Sequence, residues 1–570
     1  LRTPATRPSA PAVAWLALAA GCGVVAYGLW SERVALLDQP PRWPDGAAWQ
    51  VLACAGAYAL LVILLRALPA LAARITATTL VVVFVAVASG PKALLGALLL
   101  GAGCLAAGDL LVGRWRADPG LVLRLLLSLL TGAALFALLV TFTAHFPVNR
   151  AVFFAAVCVA LIAADARGLA GLARRAAAWY GRPRAPGGGW AYASAALLGA
   201  LLLLQSVRAL LPETGGDGLG MHLVVASQLA AHGEWTFDPA LFEWGLFPLA
   251  SEWLQGVAWT FGGEPAARLV QFAAMLASVA LIVAAARRFA PPAAALLTGA
   301  LFASTGLALG LAANTYAEPA LTALLLGAFV VVCTPREDWS VWTTVVFGVL
   351  CGGSLLTKVT ALYLLPLLAG ILVVRLVRAG GWRFALRHAG VAAALAVGVG
   401  AWPYVYAWWQ TGNPVFPLYN EVFRSGLAPL ERPPDPRWHG HFTWKLPYTA
   451  TFTTSGFNEA YNGTLGFQYL ALAPLALLVA GCRRLWVPPA AFGAGLVAAA
   501  GLLAGMQYVR YVFPMLALAS ITLAAAFAGG QAASWRWITR AAAAVAIAVI
   551  ALNVVFAPGG QWNLPGFEAR

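Results

Sequence analysis

The segment Glu213-Thr-Gly-Gly-Asp217-Gly-Leu-Gly-Met-His222 puts a carboxylate in a glycine-rich turn directly after the apolar stretch 190–211. A stretch of about 20 apolar residues crosses a bilayer, so Asp217 falls just outside a membrane. The segment 212–265 gathers seven of the chain's 21 acids: Glu213, Asp217, Glu234, Asp238, Glu243, Glu252 and Glu264. Three further charges stand at the ends of apolar stretches. They are Glu318 in Asn314-Thr-Tyr316-Ala-Glu318-Pro319, Lys358 in Leu356-Thr-Lys358, and Arg510 in Gln507-Tyr508-Val-Arg510-Tyr511. Charges at membrane depth are costly and face a cavity or a partner. A carboxylate can take a proton from a hydroxyl nucleophile, while Lys and Arg can hold a phosphate and stabilise its charge as it departs. Together these groups suit group transfer from a lipid-phosphate sugar, an activated donor that needs no ATP.

Each residue also has a structural reading. Asp217 can cap a helix, and Glu318 before Pro319 can simply start one. Lys358 and Arg510 can snorkel to headgroups. Glu252 can serve bonds within its loop, and His222, five residues past Asp217, need not share its helix face. His439 and His441 have a weak metal-ligand spacing and read better as solvated loop.

The elements that must position these residues are helices. The chain of 570 residues is 61% hydrophobic and only 10% charged, against about 25% charged in soluble domains. Its apolar runs do not alternate as barrel strands would. The fold class is all-α, a polytopic transmembrane helix bundle of about 17 spans. Six spans lie in region 1–185, at about 11–30, 50–66, 75–90, 93–112, 120–141 and 151–166. A basic linker with Arg167, Arg174, Arg175, Arg182 and Arg184 ends in Pro186-Gly-Gly-Gly189. Eleven spans follow in region 186–570, at about 190–211, 266–286, 292–312, 317–334, 340–355, 359–376, 389–409, 466–482, 488–506, 511–529 and 541–557. The first span is read as a retained helix and not a signal peptide.

With the N-terminus inside, basic residues concentrate in the inner loops and the outer loops become slightly acidic, as the positive-inside rule requires. The net charge of +15 is thus a membrane signature and not one of nucleic-acid binding. Loops 212–265 and 410–465 then lie outside. The first holds two amphipathic stretches, about 219–232 and 248–261, read as interfacial helices with Trp253 and Trp259 at the surface. The second is aromatic and irregular, with Pro433-Pro434-Asp435-Pro436 and Trp438-His439-Gly-His441. All seven cysteines sit within or at the ends of apolar runs and read as packing residues, without a disulfide or metal framework.

An Asp in the first external loop, followed by two surface helices, resembles the GT-C superfamily of membrane glycosyltransferases. The nearest resemblance is to the bacterial phospholipid-carrier-dependent group, related to protein mannosyltransferases and lipid A aminoarabinose transferases. That group's Asp-x-x-x-Tyr-His-Leu reads here Asp217-Gly-Leu-Gly-Met221-His222-Leu223, with Met for Tyr. Phe247-Pro248…Glu252, Tyr316-Ala-Glu318, Leu356-Thr-Lys358, Thr411-Gly-Asn413-Pro414-Val-Phe-Pro417 and Arg510-Tyr511…Pro514 are also similar. The resemblance covers about 190–530 and leaves the six N-terminal spans without a role.

It implies a GT-C-like catalytic module in which Asp217 is the base of an inverting transfer, with Glu318 as a second catalytic acid. His222, Glu252, Tyr316, Lys358, Asn413, Arg510 and Tyr511 are the implied substrate contacts, with Lys358 and Arg510 on the donor phosphate. The implied partners are membrane lipid, a polyprenyl-phosphate sugar, and a glycan, lipid or protein acceptor. The implied place is a bacterial inner membrane with the site facing the periplasm. No cofactor is expected beyond the lipid-linked donor, and metal dependence stays open. A transporter or flippase for lipid-linked substrates is the reading from another class, but it favours charges near the midplane. A ligase moving a whole glycan needs similar groups.

Overall fold

The computed structural model describes residues 10–37, 47–115, 118–182, 189–431, 442–457, 460–529 and 533–557. The expected features at 186–188, Pro433–Pro436 and Trp438–His441 lie outside the described residues. Every regular element among the described residues is helical, as the composition requires.

Ten helices are long and apolar enough to cross a membrane, or up to 12 if each bent pair is one span. The count of 17 is therefore not established, and the reasons are local. The runs at 317–334, 340–355 and 466–482 become the shorter helices Glu318–Val332, Val341–Thr357 and Gln468–Cys482. The runs at 359–376 and 389–409 are joined by one helical stretch, Leu365–Gly400, broken at Gly381 (φ 79°). Ala151–Ala164 bends by 75° into Ala166–Tyr180.

A second bent pair, Pro292–Ala303 and Gly306–Ala312, turns by 73°. Breaking a helix inside hydrocarbon frees backbone groups that need partners. Gln205 Nε2 donates to the carbonyl of Ala303 at 2.8 Å, and Asn553 Nδ2 donates to Ser304 Oγ at 2.9 Å. Thr305 Oγ1 accepts from the Ala308 N–H at 3.2 Å and caps the second half. The bend delivers the chain to Asn314, just before the charged segment of the site.

Residues from both ends of the sequence share one apolar core. Leu127, Leu130 and Ala134 of the helix Leu121–Thr143 are buried in it with Leu324 and Leu350, and Ala14 and Leu18 with Leu472.

The segment 212–265 differs from its expectation. Residues 218–222 form one π-turn that runs into the helix Leu223–His232. The stretch expected at 248–261 is the start of the long helix Ala250–Ala286, kinked at Gly263 (φ 70°) just before Pro265. Proline removes a backbone donor and clashes with the preceding turn, and the positive φ at Gly263 absorbs the change of direction. Ser251, Glu252, Trp253 and Gln255 are buried. Trp253 packs edge-on against Trp235, with centroids 6.3 Å apart, so this indole faces protein and not lipid. Phe416 of the segment 410–465 is buried with Leu246 and Ala407 and ties that segment to 212–265.

Candidate active site

The Asp217 turn is held from beneath by Glu213, which is fully sequestered. Its Oε1 accepts from the N–H groups of Thr214 (3.0 Å) and Gly215 (2.8 Å). Its Oε2 accepts from the Thr315 N–H at 2.6 Å and from Arg268 Nη1 at 3.2 Å. Arg268 also donates to the carbonyls of Ala209 (2.9 Å), the last residue of the helix Gly189–Ala209, and Ala313 (2.7 Å), the residue after the helix Gly306–Ala312. One buried ion pair therefore locks the turn before Asp217 to the segment before Glu318. The space is tight. A Cβ at Gly218 would lie 2.5 Å from the Glu213 carboxyl carbon, and one at Gly215 would lie 2.5 Å from Asn314 Oδ1. The backbone at 315–316 is held further by Gln255 Nε2 on Thr315 O at 3.2 Å and by Gln271 Nε2 on Tyr316 O.

On this support four charges meet. Lys358 follows the last residue of Val341–Thr357, and Glu318 opens Glu318–Val332. Arg510 sits in the short turn Val509–Val512 that leads into Phe513–Leu523. Arg510 Nη2 donates to Asp217 Oδ2 at 2.6 Å, and Arg510 Nε lies 3.5 Å from Glu318 Oε1. Lys358 Nζ donates to the same Glu318 oxygen at 2.5 Å. Lys358 and Arg510 thus flank one oxygen atom, inside the reach of a single phosphate. Tyr511 lies under both cations, 4.0 Å from Lys358 Nζ and 5.2 Å from the Arg510 guanidinium carbon, which is also 4.6 Å from the Tyr316 ring. Such contacts stabilise a cation in a site with little water.

The two carboxylates differ in access. The Asp217 side chain is 45% exposed and that of Glu318 is 1% exposed. Burial works to raise the Asp217 pKa, but the Arg510 guanidinium, helped by His222 and Lys358, outweighs it and holds the group below the usual carboxylate range. Asp217 is therefore ionised and reachable, while Glu318 is enclosed between two cations.

A second cluster adjoins the first. His222 Nδ1 and Glu252 Oε1 are 2.5 Å apart, both side chains are buried, and the His222 ring lies 5.3 Å from that of Tyr316. Asn413 is not brought to these groups by its hydrogen bonds. Its Nδ2 donates to Leu418 O at 2.8 Å and its Oδ1 accepts from the Val415 N–H at 3.0 Å, so it shapes its own loop. Sequence reasoning missed Arg268, Gln255 and Gln271, and counted Glu213 only as one acid among seven. The available signal was Arg268 itself, a lone charge at the edge of an apolar run. Among the described residues no three His, Cys, Asp or Glu side chains gather as a metal site.

The family model described as dolichyl-phosphate-mannose-protein mannosyltransferase matches residues 248–404. That stretch carries Glu252, Tyr316, Glu318 and Lys358 but neither Asp217 nor Arg510. No curated protein matches the chain. Two solved structures are similar, both ArnT from Cupriavidus metallidurans. The apo form is 18% identical with a TM-score of 0.43, covering 60% of each chain. The form bound to undecaprenyl phosphate is 19% identical with a TM-score of 0.44, covering 62% of this chain and 63% of that one. The chain thus spans under two thirds of the length of these proteins. On the family match, the helices at the centre of this multi-pass membrane protein are similar to those of the GT-C superfamily of membrane glycosyltransferases.

Proposed function

We propose that the protein transfers a sugar from a polyprenyl-phosphate donor to a hydroxyl acceptor at the periplasmic face of a bacterial inner membrane. The observation that carries this reading is Arg510, which joins the exposed Asp217 to the enclosed Glu318–Lys358 pair across 293 residues of sequence. Donor-phosphate cations and a reachable carboxylate thereby stand side by side. The acceptor O–H gives its proton to Asp217 as its oxygen attacks the anomeric carbon. The bond from that carbon to the phosphate oxygen breaks, and the electron pair leaves on the polyprenyl phosphate, facing Lys358 and Arg510. Attack opposite the leaving group inverts the anomeric configuration. Glu318 keeps the two cations in place, and Tyr511 and Tyr316 shield them from water.

The test uses the full chain in lipid nanodiscs with undecaprenyl-phosphate hexose as donor and an envelope extract as acceptor source. Release of undecaprenyl phosphate is measured for the native protein and for Asp217→Asn. A positioned base contributes about 10²–10⁴-fold, so Asp217→Asn should lose at least about 100-fold while still binding undecaprenyl phosphate. Near-native release by Asp217→Asn would overturn the assignment.

A further inference from the structure

The proposed transfer leaves a proton on a carboxyl group that holds it poorly, because Arg510 is bonded to Asp217 at 2.6 Å. The structure places an imidazole where that proton can go. The five residues 218–222 form a π-turn, with the Leu223 N–H bonded back to the Gly218 carbonyl. A π-turn spaces its partners five residues apart, which brings the backbone of His222 back beside that of Asp217. An ordinary α-turn would rotate it away. The His222 ring shares Tyr316 with the Arg510 guanidinium, at 5.3 and 4.6 Å.

The other side of the ring is fixed. Nδ1 faces Glu252 Oε1 at 2.5 Å, in the buried start of the helix Ala250–Ala286. A carboxylate on Nδ1 sets the tautomer, turns Nε2 into the proton acceptor, and stabilises the imidazolium that forms. Nε2 makes no hydrogen bond among the described residues. Glu252 and Tyr316 lie against this ring, the Asp217 and Glu318 carboxylates interact with it electrostatically, and its bonded partner is the Glu252 carboxylate.

We propose that the His222–Glu252 pair is a proton relay for Asp217, a role that rests on the transfer reaction proposed above. The proton taken from the acceptor hydroxyl passes from the Asp217 carboxyl, through one water, to His222 Nε2. The O–H bond of Asp217 breaks as the N–H bond forms. Asp217 returns to its ionised form on Arg510, and after product release the imidazolium on Glu252 gives the proton up from Nε2 to solvent that enters beside the half-exposed Asp217. His222 is thus a positioning and relay residue, and Asp217 remains the group that meets the acceptor.

The relay is tested on the full chain in nanodiscs by the pH profile of undecaprenyl phosphate release. Native protein should lose rate on the acid side through a limb that depends on His222. His222→Gln should lower the maximal rate about tenfold and abolish that limb, leaving the profile flat into the carboxylate range. Glu252→Gln keeps the imidazole but withdraws its counter-charge, and should move the limb to lower pH. Binding of undecaprenyl phosphate and thermal stability are followed in both variants. An unchanged limb in His222→Gln would overturn the relay. So would weakened undecaprenyl phosphate binding with the maximal rate intact, which would make His222 a donor contact. If Asp217→Asn itself turns over normally, the parent reading fails. If Asp217→Asn is inactive and His222→Gln keeps the limb, only the relay fails.

Discussion

Arg510 carries the residue-scale account, because it serves both carboxylates. Lys358→Ala or Arg510→Ala removes one charge-assisted phosphate contact, worth about 1.5–3 kcal/mol. Each should weaken undecaprenyl phosphate binding about 10- to 100-fold by titration. Lys358→Ala also leaves Glu318 buried beside one cation instead of two, so the melting temperature should fall. Adding Glu318→Gln should restore stability without restoring binding, which separates the two roles of Lys358. If donor affinity is unchanged in both single variants, the phosphate is held elsewhere. The Asp217–Arg510 pair has a defined pH dependence. The folded pKa of Asp217 lies below its unfolded value, so the pair contributes above the ordinary carboxyl pKa, about 3.9. That contribution is lost as pH falls through the depressed value. Melting curves of native protein and Asp217→Asn should therefore differ by a small constant at neutral pH and converge in strong acid. With a side chain 45% exposed, the constant should be small.

At the scale of elements, the site depends on how helix ends are fastened. Arg268 and Glu213 are buried, with side chains 4% and 0% exposed, and they close the ends of Gly189–Ala209 and Gly306–Ala312 while bonding the backbone on both sides of the cleft. Breaking a buried ion pair by removing one partner costs about 3–5 kcal/mol. Arg268→Ala should lower the melting temperature and abolish release together, unlike Asp217→Asn, which should abolish release at only a small cost in stability. Gly218→Ala drives a methyl into the Glu213 carboxyl and should lower activity more than a surface Gly-to-Ala change. An unaffected Gly218→Ala would show that the turn relaxes at no cost to the site.

For the whole molecule, the proposed reaction fixes which side faces out. The exposed position Thr236, in the first external segment, should be labelled from the periplasm once changed to Cys in a background without native cysteines. Ala173→Cys, on the helix Ala166–Tyr180 with its arginines, should be labelled only after the inner membrane is permeabilised. Labelling of Thr236→Cys only after permeabilisation would reverse the topology and sink the periplasmic reading.

Composition alone determined that this chain is a helical membrane protein, because hydrocarbon leaves the backbone few other ways to satisfy its polar groups. The rarity of charge in apolar sequence also made Asp217, Glu318, Lys358 and Arg510 visible before any fold was known. Span count was not legible. The helix break at Ser304–Thr305 depends on which side chains elsewhere take up the freed backbone groups, as Gln205 does for Ala303. Partnership was not legible either. Arg510 meets Asp217 only because distant helix ends converge, and Glu213 looks like any loop acid until Arg268 is beside it. The five-residue spacing of Asp217 and His222 left a shared helix face open. The winding of residues 218–222 as a π-turn was decided by the folded chain alone.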